Sequence, residues 1–307
     1  MNRFLWLIRR EIWEARVVWI APLIVAAIVV GGAAAAGIWS HHVEWGMDSE
    51  LKDLHSQLTP DRLDSIAAMM LASVSLPFLL LVVFTQFFYS IDSLYGERRD
   101  RSVLFWKSLP VSDFETVLSK LAIAALVMPV CAAAGAFIGQ FGVDLVVALK
   151  LSAITGLQAH LWSPSVWASV ITLDLYVALT SVFWYLPIVA YYLFVSALVP
   201  RAPLFWAALT PAALMLAERI VLGTHVIAST VFARTPTGLF AHIFGPGGAD
   251  GLAFKFKKAD MDLPHSLYSI MHPGDFLASP DVWAGIAVAV AFFAGAVWAR
   301  RYRDQTN

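Results

Sequence analysis

Five stretches of this chain contain no Asp, Glu, Lys or Arg: residues 17–39, 65–91, 121–143, 175–200 and 282–299. A helix rises about 1.5 Å per residue, so roughly 20 apolar residues cross a hydrocarbon layer of about 30 Å. Runs of this length and number predict a multi-pass membrane protein. A sixth run, 202–222, is interrupted only by Glu218 and Arg219 near one end. Composition points the same way, because 59% of the 307 residues are hydrophobic, 14% are charged and the mean hydropathy is +0.71.

The stretch 145–167 is apolar enough to span but carries Lys150, Gln158, His160 and Pro164. Parity argues against a seventh span. Both termini are basic, with Arg3, Arg9, Arg10 and Arg16 at the start and Arg300, Arg301 and Arg303 at the end, and only an even number of spans leaves both on one side. With both ends in the cytoplasm, the inner segments 1–16, 91–120, 199–203 and 299–307 hold 13 of the 21 Lys and Arg. That asymmetry predicts N-in, C-in orientation. Residues 145–167 are then an outer extension of the third helix followed by an interfacial or re-entrant piece. A cleavable signal peptide is the rival reading of the first 40 residues, but a 23-residue uncharged run exceeds the usual apolar region of about 7–15.

The sequence therefore predicts one all-α integral membrane domain over 1–307, with spans at 17–39, 65–91, 118–143, 169–199, 202–222 and 282–299. Residues 1–16 form an amphipathic helix in which Phe4, Leu5, Ile8 and Ile12 make one apolar stripe beside Arg9 and Arg16, suited to the inner interface. The outer loop 233–281 is punctuated by Gly245-Pro246-Gly247-Gly248, Pro264, Pro273 and Pro280, which preclude long regular elements.

Several functions are disfavoured. A net charge of −1 gives no electrostatic case for nucleic acid. Cys131 is alone, so a disulfide framework or Cys-ligated cluster within one chain is excluded. The eight histidines, His41, His42, His55, His160, His225, His242, His265 and His272, all fall on the outer side and form no zinc motif. No G-x-x-x-x-G-K-[ST] occurs, so the chain does not bind ATP through a phosphate cradle. Asp174, Glu218 and Arg219 lie near the outer ends of the fourth and fifth spans, where ionisable groups face protein or water, and are candidates for translocation or gating. An intramembrane protease would need a second aspartate or a Ser/His dyad at helix depth, and Asp174 has neither beside it in sequence.

The one long inner loop, YGERRDRSVLFWKSLPVSDFETVLSK at 95–120, mixes large apolar residues with charge. Pro110 should stop a short helix there. Ser112-x-x-Glu115 then has the capping-box pattern, which starts the third span at a defined point. Glu97-Arg98, an apolar helix, Pro110-Val111-Ser112, Glu115 and Lys120 together resemble the motif between the second and third spans of type-2 ATP-binding-cassette (ABC) exporter permeases. The likeness covers about 25 residues by motif and most of the chain by layout.

This resemblance implies a cytoplasmic coupling helix within 95–115, seated in a groove of a separate ATPase. Arg101, Leu104, Trp106, Leu109, Pro110 and Asp113 would make the docking surface, and Glu97, Ser112 and Glu115 would orient it. It also implies an outer re-entrant region between spans five and six, a second permease chain, identical or homologous, and two ATPase chains carrying the ATP and Mg. The setting would be a bacterial cytoplasmic membrane, and the cargo amphipathic or hydrophobic. A secondary transporter or channel without an ATPase is the alternative, with an intramembrane enzyme a more distant one.

Overall fold

The computed structural model describes residues 3–40, 59–102, 111–150, 160–244 and 267–303. All elements among them are helical. α1 (Arg3–Glu14) and α2 (Val17–Ser40) open the chain, followed by α3 (Pro60–Ser73) and α4 (Leu76–Arg99). The break between α3 and α4 follows from Pro77, which has no amide to donate to Ser73 and whose ring crowds that carbonyl. α5 (Asp113–Ala122) runs through a π-turn at Ile123–Val127 into α6 (Met128–Lys150). Here Pro129 removes a helical donor, and the buried Gln86 amide donates to the Ala124 carbonyl at 2.8 Å.

α7 (Pro164–Leu198) is the longest helix and the centre of the bundle, lying against α4 and α3. α8 (Pro203–Val221) follows it across a sharp turn in which Ala202 adopts a left-handed φ of 51°. Two short helices, α9 (Val226–Ala233) and α10 (Pro236–Phe244), come next. A 3₁₀ turn at Leu267–Ile270, α11 (Pro273–Ala278) and α12 (Pro280–Arg303) complete the chain. α12 packs along α7. Pro273 and Pro280 of the expected outer loop start helices α11 and α12, as proline does at a first helical position, while Pro246 and Pro264 lie outside the described residues.

Six helical stretches are long and apolar enough to cross a membrane: Val17–Ala36, Pro60–Arg99, Asp113–Leu149, Pro164–Leu198, Pro203–Val221 and Pro280–Tyr302. The number agrees with the sequence reading, and the helices differ in extent from the expected spans. The second and third stretches extend past the expected 65–91 and 118–143 at both ends, and the fourth starts five residues before the expected 169–199 and ends at Leu198. Charge marks where an apolar window stops, but backbone hydrogen bonding carries a helix on through charged residues such as Asp61, Arg62 and Glu97. The stretch 145–167 divides accordingly, with α6 continuing to Lys150 and α7 starting at Pro164, while 151–159 lie outside the described residues.

α1 also has a buried side. Leu7 and Glu11 are its buried positions, whereas Leu5 is 62% exposed. Ile8 and Ile12 do pack inward, against Val18, Ile123 and Met128. Glu11, one turn on from Leu7, meets the cationic partners described below.

α2 lies along α6, and the approach depends on small residues. A Cβ at Gly142 would sit 2.4 Å from Val30 Cγ2, and one at Gly135 would sit 2.6 Å from Pro22 Cβ. Gly31 has nothing within 4 Å of the same construction. Gly142→Leu is therefore expected to destabilise the chain by about 1–3 kcal/mol through overpacking, and Gly31→Leu to leave it nearly unchanged. Thermal denaturation in detergent checks this: equal midpoints for the two variants would mean that α2 is not held against α6.

Candidate functional site

The first helix, the end of α4, the start of α5 and the end of α12 meet at one end of the bundle, and a network of buried charges joins them. α4 brings Glu97, α5 brings Asp113 and Lys120, α1 brings Arg10 and Glu11, and α12 brings Arg300. Glu11, Lys120 and Arg300 are each 3% exposed. Lys120 Nζ lies 3.1 Å from Glu11 Oε1 and 3.0 Å from Glu97 Oε1. Arg300 reaches Glu97 Oε2 at 2.7 Å and Asp113 Oδ1 at 3.1 Å. Arg10 pairs with Glu11 at 3.1 Å and with Glu14 at 2.9 Å, and approaches Glu97 at 3.6 Å. Tyr89 Oη donates to Glu11 Oε2 at 3.0 Å.

Each buried carboxylate thus has a cation, and each buried cation bridges two acids, which is the condition under which burying charge is tolerated. The pairs span three separate parts of the chain. Glu97 stands just before the loop that follows α4, and Asp113 just after it, and Arg300 holds both.

The flanks of that loop are pinned further. Arg98 donates to the Ser196 and Val199 carbonyls at the end of α7, the latter at 2.9 Å. Ser196 Oγ accepts from the amides of Leu94 and Tyr95 at 3.1 and 2.9 Å, an insertion into the α4 ladder. α4 ends as Arg101 enters the left-handed region at φ 56°. On the far flank the capping box is formed: Ser112 Oγ accepts from the Glu115 amide at 3.1 Å, and Glu115 Oε2 accepts from the Ser112 amide at 3.0 Å. Of the docking residues inferred from the resemblance, Leu104, Trp106, Leu109 and Pro110 lie outside the described residues, and Arg101 is exposed.

The chain matches no protein-family model, no curated protein and no solved structure. Its function has to be read from its own residues.

A second polar group lies within the bundle. Asp174 of α7 accepts from Ser75 Oγ at 2.7 Å through Oδ1 and from Gln140 Nε2 at 2.8 Å through Oδ2. Gln140 also donates to Ser75 Oγ at 2.7 Å. Asp144, one turn along α6 from Gln140, is 1% exposed.

Glu218 and Arg219 do not join Asp174. Glu218 caps α9, accepting from the Val226 and Ile227 amides at 2.6 and 2.8 Å and from Thr224 Oγ1 at 2.7 Å. Arg219 turns to the His225 ring, 2.8 Å from Nε2. The two side chains diverge as adjacent helical positions must. A third cluster fastens α9 and α10 to the bundle: Arg234 donates to the Trp184 carbonyl at 3.0 Å and to that of Asp281, and its guanidinium lies 4.3 Å from the Trp184 ring centroid. Burial lowers the pKa of Arg234 from its ordinary value, against which Asp281 acts. The His242 ring packs against that of Trp184, 4.3 Å between centroids.

His160, Asp64 and Ser165 meet, but in the wrong order for acyl transfer. The carboxylate takes His160 Nδ1 at 2.5 Å and Ser165 Oγ at 3.1 Å, so serine is paired with the acid and not with the imidazole. Among the described residues no group of three or more His, Cys, Asp or Glu could hold a metal ion.

Sequence reasoning missed Glu11, Tyr89 and Arg300. The signal for Glu11 was present, since an acid four positions from Leu7 and seven from Phe4 falls on the apolar face of α1, where a charge persists only with a partner. Nothing local pointed from there to Arg300.

Proposed function

We propose that this chain is the membrane-spanning permease subunit of an ATP-driven ABC exporter, moving an amphipathic or hydrophobic substrate with energy from a separate ATPase. The observation that carries the reading is the ion-paired base that clamps both flanks of residues 97–113. A loop that merely connected two spans would need no such anchorage. Glu97, Arg300 and Asp113 turn it into a lever: displacement of its tip passes into α4, α5 and α12 together, and through Lys120 and Glu11 into α1. The sequence likeness of this segment to a coupling helix supports the partner class, and ATP and Mg would be held by that partner.

In this reading the six spans sit in a bacterial cytoplasmic membrane with both termini and the 97–113 lever inside. α1 lies in the inner interface, and α9 and α10 form a re-entrant hairpin from the outer side. Two permease chains would face each other over two ATPases. Leu104, Trp106, Leu109 and Pro110 would fill the ATPase groove, with Arg101 at its rim, while Ser112 and Glu115 fix the angle at which the lever enters α5.

Affinity purification of the tagged chain in mild detergent tests this. A nucleotide-binding ATPase is expected to co-purify, and the double variant Trp106→Asp/Leu109→Asp to release it while the permease keeps its thermal midpoint. Purification of the chain alone, with transport in vesicles driven by an ion gradient and no nucleotide, would overturn the proposal in favour of a secondary transporter.

A further inference from the structure

Asp174 borders an apolar cavity of about 80 Å³ between α3, α4, α6, α7 and α10. Its wall is almost wholly hydrocarbon: Phe78, Leu79, Ala132 and Ala136 face it, and Ser75, Asp174 and Ser181 are its polar lining residues. The two donors on Asp174 are a hydroxyl and an amide, both neutral. Among the described residues neither Asp174 nor Asp144 has an ion-pair partner. This contrasts with the base of the bundle, where buried acids are matched by cations.

The acceptor excess does not end with Asp174. Gln140 is fully buried, and once its amide nitrogen has been spent on Ser75 and Asp174, its Oε1 has no donor. Orphaned acceptors in such surroundings are costly, and buried native groups of this kind need an explanation. A positive group with N–H donors in the cavity would neutralise Asp174, and an attached apolar body would occupy the hydrocarbon wall. A neutral ligand would leave the charge uncompensated. An anion would add to it.

We infer that this cavity is a binding subsite for a protonated amine carried on an apolar body, with Asp174 as its counter-ion and Ser75 and Gln140 as the groups that orient the carboxylate. This rests on the permease reading for its role, as the recognition step for a cationic amphiphilic cargo, and adds the charge class that the proposed function leaves open. Ser75 sits at the break between α3 and α4, and Gln140 lies on α6, which continues through the π-turn into α5 and the base. Occupancy of the cavity would thus be felt on the two helices that bear the lever.

The test uses the full chain without ATPase, in phosphatidylcholine nanodiscs at pH 7, with phenethylamine as probe and empty nanodiscs subtracted in calorimetric titrations. The wild-type chain is expected to bind phenethylamine, and to bind the neutral analogue 2-phenylethanol at least about tenfold more weakly, since a hydrogen bond to a charged group is the stronger kind. Asp174→Asn should lose the amine preference, and Asp174→Glu should keep a measurable part of it. Ala136→Leu, which fills the cavity, should weaken both ligands. Equal binding of amine and alcohol by the wild-type chain would overturn the inference, as would an amine preference that survives Asp174→Asn in protein with an unchanged thermal midpoint. Because no ATPase is present, loss of the amine preference leaves the co-purification result untouched, and failure of co-purification leaves the amine result untouched.

Discussion

Replacing Lys120 with methionine is expected to destabilise the chain by about 3–5 kcal/mol, the range for removing one partner from a buried ion pair. Its ammonium lies 3.1 Å from Glu11 and 3.0 Å from Glu97, and its removal leaves two buried carboxylates that had shared one cation. Arg10 cannot replace it fully, since it already serves Glu14 and comes no nearer than 3.6 Å to Glu97. The repulsion is relieved if one acid is neutralised, so Lys120→Met/Glu97→Gln should be less destabilised than the sum of its single variants. Thermal denaturation of the four proteins in one detergent measures the cycle. A loss below about 1 kcal/mol for Lys120→Met would mean that the network behaves as a solvated surface cluster. Under the proposed function, the same variant should still co-purify with the ATPase while transport falls, because the lever is loosened at its root and not at its tip.

The second large effect is expected at Arg234, whose loss should cost about 3 kcal/mol or more. Its guanidinium is the donor to the Trp184 and Asp281 carbonyls and covers the Trp184 ring, and hydrogen bonds to a charged group contribute about 1.5–3 kcal/mol each. Arg234→Met keeps the apolar stem but leaves both carbonyls without this donor. The hairpin of α9 and α10 should then separate from α7 and α12. A reporter cysteine at Leu239, fully buried in the native chain, would register this in a Cys131→Ser background. Maleimide labelling of that site should be slow with Arg234 present and fast with methionine in its place. Slow labelling in both would show that Leu239, Ile243 and Phe276 hold the hairpin by apolar packing alone.

Much of the architecture was readable before any coordinates. A stretch such as 282–299, without a charged residue, has one favourable fate in a lipid layer, because a helix satisfies every backbone group within itself. Six helices long and apolar enough to cross a membrane follow from that rule. Ser112 and Glu115 were equally readable, since a capping box is made by residues three apart and depends on nothing else in the molecule. Helix ends were less legible. The second helical stretch reaches Arg99 because nothing local stops it until Arg101 turns left-handed.

Contacts between distant residues were not readable at all. Glu11 and Lys120 are 109 positions apart and Arg300 and Glu97 are 203 apart, and no periodicity links them. Asp174 could be flagged as an intramembrane acid, yet its separation by 99 residues from Ser75 and 34 from Gln140 hid both the donors and the cavity beside it. Glu218 was flagged on the same ground, and the fold put it to a different use, as the cap of α9.

The order of residues along the chain determined six helices long and apolar enough to cross a membrane, and the capped start of α5, because hydrophobic length and capping act over a few turns of one helix. Tertiary structure alone decided which charges meet, which helix ends share the base, and which acid faces an apolar cavity without a cation. Those outcomes depend on how helices lie against one another in three dimensions, and a Coulombic partner a hundred residues away leaves no trace in local sequence.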